Sequence, residues 1–273
     1  MGPFVKWAGG KKQLLGKLWE RTPNKFDTYY EPFIGGGAML FELKPQKAVI
    51  NDVNEQLINV YRQLKADPRA VIRAVNRIDE QVCNKDFYLA MREQYNQKIQ
   101  KHELDAECAG MMIWINKHCF NGLYRVNNKG LFNVPYNNKE LGKSIDEANL
   151  MSIGYYLQEA DVDIRCEDFE KTCEGVKEND FVYFDSPYIP VSATASFTDY
   201  TKDGFTYDDH VRLSELFKRL DAKGVKVMLS NHNVDLVYEL YDGYNIEQID
   251  VKRNINSDAS KRVGKEVIIR NYE

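Results

Sequence analysis

Asp185, Pro187 and Tyr188 stand in the run VYFDSPYIP (182–190), where the strand-forming residues Val182, Tyr183 and Phe184 lead into an acid, a serine, a proline and an aromatic ring. A carboxylate at a strand end can accept a hydrogen bond from an exocyclic NH2 group. A backbone carbonyl of the same turn can take the second N–H, and the Tyr188 ring can stack on the face of a base. Proline restricts its own φ and the conformation of the residue before it, which keeps this presentation still. Such a turn suits a planar amine or amide, above all an amine-bearing base taken out of its stack.

Two glycine-rich stretches could hold a small ligand. In YYEPFIGGGAML (29–40), Gly35, Gly36 and Gly37 separate a strand from a helix start. Glycine permits a tight turn and a close approach to a ligand, and ligands of open α/β sheets sit at the carboxyl ends of strands. A turn without a ligand would use the same glycines. The next strand-like run, KAVIN, ends at Asp52, an acid able to accept both hydroxyls of a ribose. The sequence has no second G-x-G pattern and no Walker lysine motif, so the pocket suits one nucleoside better than a dinucleotide or a triphosphate. Near the start, FVKWAGGKKQLL (4–15) offers Trp7 as a flat apolar plate, a Gly-Gly turn, and Lys11 as a cation within reach of a carboxylate or a base. The alternative reading makes Trp7 a core anchor, with Lys12 and Lys17 as a wet helix edge.

A third group has the composition of a DNA-reading hairpin: NKHCFNGLYRVNNKGLFNVPYNN (116–138). Arg125 can bond O6 and N7 of a guanine bidentately. Asn121 and Asn127 can cap a turn or touch bases, and Phe120 or Tyr124 can wedge into the stack. Phe132 and Tyr136 read equally well as buried scaffold. The net charge of −4 offers little to nucleic acid, but its distribution is uneven. Lys252, Arg253, Lys261, Arg262 and Lys265 face one acid, Asp258, over 252–265, and residues 5–17 carry four lysines and no acid. Solvated surface is the plain alternative for both runs.

The elements that must position these groups alternate at both ends of the chain. Strand-like runs at 28–33, 47–51, 181–184, 225–230 and 267–272, with helices at 12–20 and 207–222, predict a parallel-type α/β sheet. From about 54 to 116 the apolar period is helical, residues 117–143 read as loops or a hairpin, and 145–160 is helical again. The expected division is therefore a sheet domain of 1–53 and 161–273 with an inserted recognition domain of 54–160. The 273 residues suffice for a full core, and 43% hydrophobic with 29% charged residues is ordinary for a soluble protein. No apolar run reaches the ~18 residues of a membrane span, and MGPFVKW lacks the pattern of a secretory signal. Five cysteines without CxxC spacing read as reduced thiols in a cytoplasm, with no metal site expected.

The segments FVKWAGGK, EPFIGGG, NDVNEQLI, FNGLYRVN, FNVPY, FDSPYIPVSATASFT and SNH, in this order, resemble those of the Dam-type (D12 class, alpha group) DNA adenine-N6 methyltransferases, from about residue 4 to 272. The resemblance implies a Rossmann-like S-adenosylmethionine-dependent methyltransferase sheet with an inserted DNA-recognition lobe, acting on double-stranded DNA as a monomer. Trp7, Lys11, Phe33, Gly35, Gly37, Asp52 and Asp185 would line the cofactor pocket. Asp185, Ser186, Pro187 and Tyr188 would form the catalytic turn, with Asp185 orienting the adenine amine and Tyr188 stacking on a flipped base. Lys6, Arg125 and Pro135 would meet the recognition bases, GATC in the family's usual case; Phe120, Asn121 and Asn127 remain candidates for DNA contact from residue type alone, as do Lys261 and Arg262 of the basic run for phosphates. The loop 192–205 would close over the base. The family's turn usually reads Asp-Pro-Pro-Tyr; Ser186 departs from it but keeps the backbone carbonyl, so a working, slower enzyme is expected. Methyl transfer to RNA or to a protein amide, and a DNA-binding relative that has lost catalysis, are the competing readings.

Overall fold

The computed structural model describes residues 1–7, 14–139, 142–190, 204–252 and 263–273. In chain order its elements begin with α1 (Leu15–Glu20), β1 (Tyr29–Glu31), α2 (Ala38–Leu43), β2 (Lys47–Asn51), α3 (Glu55–Ala66), α4 (Pro68–Asp79), α5 (Lys85–Gln100) and α6 (Ala106–His118). They continue with α7 (Glu147–Glu159), β3 (Asp161–Arg165), α8 (Phe169–Thr172), β4 (Phe181–Phe184), α9 (Tyr207–Ala222), β5 (Lys226–His232), α10 (Asp235–Leu240), β6 (Asn245–Lys252) and β7 (Val263–Arg270). Contacts divide the chain into two compact units. One comprises Met1–Gly10, Gly35–Gln46 and Asp52–Cys166; the other comprises Lys11–Ile34, Lys47–Asn51 and Glu167–Glu273.

The second unit is built on a sheet with the order β2-β1-β4-β5-β7-β6. The pairs β1–β2, β1–β4 and β4–β5 are parallel. The central strand β4 reads FVYF and is buried along its whole length, as a strand covered on both faces must be. The parallel pattern read from the sequence holds for these four strands. Beyond them, β7 pairs antiparallel with both β5 and β6. Neighbouring strands in the chain can pair antiparallel through a short connection, whereas a parallel pair needs a crossover. Helix α9 opens with a capping box between Thr206 and Asp209. It then lays Leu213, Leu216, Phe217 and Leu220 into a core with Val182, Phe184, Val227, Leu229, Val267 and Ile269.

The first unit is mainly helical. Helix α6 is buried along nearly its whole length, and α3, α4 and α5 pack on it, while α7 packs on α3 and α4. Side chains of Asn54, Asp67, Asn84, Asp105 and Asp146 accept backbone N–H bonds at the helix starts. Each such cap stabilises by about 1 kcal/mol. Half-buried Asp79 ties this unit together. It accepts from Trp114 Nε1 at 2.9 Å, from the Ser144 amide at 2.9 Å and from Ser144 Oγ at 2.6 Å. Ser144 Oγ also lies 2.8 Å from His118 Nε2. Because Ser144 spends its O–H on Asp79, His118 must donate to it, so this serine, histidine and aspartate form a strut and not a nucleophilic triad. Burial pushes the His118 pKa down to about 4.

Elements β3, α8, α10 and β6 are not singled out by sequence pattern alone. They are short, or alternate weakly, and the packing around them decides their state.

Candidate functional site

In the sheet unit, β4 delivers Asp185 to its carboxyl end, where the side chain is half-buried. Ser230 Oγ, from the adjacent strand β5, donates to Asp185 Oδ1 at 3.2 Å. Ser230 in turn lies 2.9 Å from the Tyr183 hydroxyl, which must donate because the serine proton is already used. The carboxylate is thus steered from β5. Ser186 is buried, and its Oγ has no hydrogen-bond partner. Pro187 is exposed and Tyr188 half-buried.

The end of β5 holds the rest of the turn. Asn231 Oδ1 accepts the Ile189 amide at 2.9 Å, and His232 Nδ1 lies 2.8 Å from the Ile189 carbonyl. The Tyr188 ring meets the His232 ring edge-on, with centroids 4.8 Å apart at 75°. Its hydroxyl donates to Glu266 Oε2 of β7 at 3.0 Å. Burial, with the negative charges of Asp185 and Glu266, pushes the Tyr188 phenol well above its ordinary range, so it remains a donor. Phe33, half-buried past β1, packs against Phe169, Phe184 and Phe205.

In the helical unit, Gly35 and Gly37 take φ of 49° and 74°, left-handed values that favour glycine. The loop is held by Tyr61, whose hydroxyl donates to the Gly35 carbonyl at 3.0 Å. A Cβ at Gly35 would fall 2.9 Å from Trp7 Cδ1, so the loop packs directly on the Trp7 ring. Asp52 accepts the Gly35 amide on Oδ2 at 3.1 Å and the Asn54 amide on Oδ1 at 2.9 Å. Each oxygen keeps a second acceptor position, which suits the paired hydroxyls of a ribose. Burial raises the Asp52 pKa, opposed by these two amides.

The same unit carries the hairpin. A 3-10 turn, Phe120–Gly122, lies between the outer bridge Cys119–Tyr136 and the inner bridge Val126–Phe132. Helix α5 braces its inner edge: Asn96 bonds both the amide and the carbonyl of Phe132, and Tyr88 and Arg92 donate to the Val134 carbonyl. Phe132 is buried against Tyr95 and Tyr124, and the Tyr136 hydroxyl caps two carbonyls. Both therefore serve as scaffold. The Tyr124 ring lies tilted against Trp7, with centroids 5.4 Å apart, whereas Phe120 is 50% exposed.

Arg125 and Pro135 are exposed, and Asn121 sits at φ 55° in the exposed turn. Asn127 instead spends its carbonyl oxygen on the Lys129 and Leu131 amides and so caps the hairpin.

Three positioning partners carry no sequence signal of their own. Asn116 accepts the Lys6 amide and donates to the carbonyls of Lys6 and Gly122, which brings Lys6 beside the hairpin turn. Asn133 Oδ1 accepts from Arg125 Nε at 2.8 Å. Ser230 is visible only as part of the SNH run. Lys11, Lys261, Arg262, the basic run over 253–262 and most of the 192–205 loop lie outside the described residues. Among the described residues, no helix is long and apolar enough to cross a membrane, and no His/Cys/Asp/Glu group could hold a metal.

Over residues 7–255 the chain matches the family described as D12 class N6 adenine-specific DNA methyltransferase. It is 45% identical over 272 residues to the type II methyltransferase M1.LlaDCHI of Lactococcus lactis subsp. cremoris, covering 99% of this chain and 95% of that protein. It is 41% identical over 289 aligned residues to the type II methyltransferase M.MjaIII of Methanocaldococcus jannaschii, covering 99% of each. The DNA adenine methylase of Escherichia coli K12 is 30% identical over 261 residues, with 95% of this chain and 91% of that protein covered. The family match spans most of the chain, the relatives align almost end to end, and the chain belongs to the D12 class of N6 adenine-specific DNA methyltransferases.

Proposed function

We propose that this enzyme takes its methyl group from S-adenosylmethionine and places it on N6 of an adenine flipped out of duplex DNA, within GATC. The observation that carries the reading is the turn at 185–188, in which the Asp185 carboxylate is steered by Ser230 and the Tyr188 ring is restrained at its hydroxyl by Glu266 and by the near-perpendicular His232 ring. The sulfonium of the cofactor supplies an activated methyl with its own leaving group. The protein's share is then positioning and electrostatics. Asp185 accepts one N–H of the adenine amine, which aims the nitrogen lone pair for in-line attack. The Ser186 carbonyl takes the second N–H, and Tyr188 stacks on the base. Asp52 holds the ribose hydroxyls; Trp7, Lys11, Phe33, Gly35 and Gly37 complete the cofactor's surroundings.

Recognition falls to the hairpin. Arg125 reads a guanine, Lys6 and Pro135 contact neighbouring bases, and Phe120 with Asn121 fills the space left by the flipped base. Lys261 and Arg262 contact phosphates, so log-affinity falls with log-salt. The exposure of Phe120, Arg125 and Pro135 on a rigidly braced hairpin supports this reading. The type II relatives support a role beside a restriction endonuclease.

Plasmid from an expressing, methylase-free host, digested with endonucleases that sense GATC methylation, tests the site. Protection at GATC is the expected result; cleavage at GATC with N6-methyladenine in another context would replace the site and keep the chemistry. Absence of N6-methyladenine by mass spectrometry would remove the reading altogether.

A further inference from the structure

The Tyr188 hydroxyl has a use that stacking alone does not explain. A ring that only lay against a base would serve equally as phenylalanine. Here the O–H donates to Glu266 Oε2 at 3.0 Å, from a residue 78 positions further along the chain. The ring also packs against His232, nearly perpendicular to it, and His232 Nδ1 lies 2.8 Å from the Ile189 carbonyl. Glu266 lies on β7 opposite His232, in the pair His232–Glu266 of the β5–β7 ladder. One rung of the sheet therefore supplies both restraints on the ring.

We propose that Glu266 is a positioning residue for adenine methylation: its carboxylate anchors the Tyr188 hydroxyl and fixes the plane against which the target base stacks. The proposal rests on the reading of Tyr188 as the base-stacking ring. Two side-chain torsions set that plane, and the hydroxyl bond together with the His232 ring contact restrains both. A hydrogen bond to an ionised acceptor is stronger than one between neutral groups. Holding the ring before the base arrives removes an ordering cost from the productive complex. Glu266 touches neither base nor cofactor in this scheme, so its effect passes through Tyr188.

The test is a double-mutant cycle in the full-length enzyme with S-adenosylmethionine and a duplex oligonucleotide. E266A is expected to lower kcat by about tenfold, the effect of one lost hydrogen bond to a charged group, with the cofactor Kd and Tm unchanged. E266Q keeps a carbonyl oxygen that can accept from the phenol and should recover most of the rate. Y188F should fall as E266A does, and Y188F/E266A should be no slower than either single variant. The proposal is overturned if E266A costs as much in the Y188F background as in the parent. It is equally overturned if E266Q is as slow as E266A while both keep the parent Tm. Failure of the underlying reading looks different: Y188A would methylate at the parent rate, and no ring would be left for Glu266 to position.

Discussion

In the sheet unit, the residues that would meet the substrate are restrained one by one: Asp185 by Ser230, Ile189 by Asn231, and Tyr188 by Glu266 and His232. In the helical unit the restraint goes to the frame instead. Asn96, Tyr88 and Arg92 hold the backbone of the hairpin, while Phe120 and Pro135 stay exposed and the exposed Arg125 is braced by Asn133, through its side-chain oxygen and its carbonyl. The difference matches what the proposed function asks of each region. Aligning a nitrogen lone pair with a methyl tolerates little displacement, so the groups themselves are fixed. Reading bases needs donors that reach out of the protein and lose their water only on contact, so a stiff frame with exposed tips serves better.

Removing Asp185 should break the first half of this contrast most severely. Asp185→Ala is expected to lower methyl transfer, followed with tritiated cofactor, by on the order of a thousandfold, with Tm and DNA binding retained. Loss of DNA binding as well would mean that chemistry and reading are not separated as described.

Acid should probe both regions at once. Burial lowers the pKa of His118, in the helical unit, and of His210, in the sheet unit, to about 4. A histidine held neutral in the fold takes up its proton first in the unfolded chain. Stability is therefore complete above the unfolded pKa of about 6.5 and falls as pH drops toward 4, by up to about 3 kcal/mol for each residue. Melting curves between pH 7 and 4, with and without His210→Phe, should show a shallower acid loss in the variant. An unchanged slope would show that His210 is not held neutral.

The second half of the contrast is tested at Arg125. Arg125→Ala should cost about 1–3 kcal/mol against the cognate site and little against random duplex, as read by competition binding. Asn133→Ala leaves the arginine in place but releases its brace, and should cost about 1 kcal/mol of the same discrimination. A uniform loss on all sequences in either variant would recast Arg125 as a phosphate contact.

The smallest effect belongs to Ser186. Its buried Oγ has no partner, so serine here carries both an unmatched hydroxyl and a looser backbone. Ser186→Pro should leave activity equal or higher and stability changed by no more than about 1 kcal/mol. A sharp loss in single-turnover rate would show that the turn depends on the serine.

Much of the fold was legible because its signals are local. FVYF marks a strand covered on both faces, the helical period from about 54 to 116 runs through α3 to α6, and the glycines up to Gly37 lead into α2. The far edge of the sheet was less legible. Strand direction depends on which neighbours meet, and the VIIRNY run (267–272) fits either direction. In the candidate site, Arg125 and Asp185 declare themselves by residue type and context, and Phe132 and Tyr136 do not. An aromatic residue in a polar hairpin looks the same whether it faces a base or Tyr95.

From its sequence alone this chain specifies which short segments can do chemistry: an acid-Ser-Pro-Tyr turn, a glycine loop before a helix, and an Asn- and Arg-bearing hairpin. Those depend on backbone preference and side-chain type over a few neighbouring residues. Only the tertiary structure decides which groups hold them, because the partners arrive from afar. Glu266 reaches Tyr188 across 78 residues, Ser230 reaches Asp185 across 45, and Asn116 reaches Lys6 across 110. A hydrogen bond needs its atoms within about 3 Å, and no pattern in the linear chain carries that information.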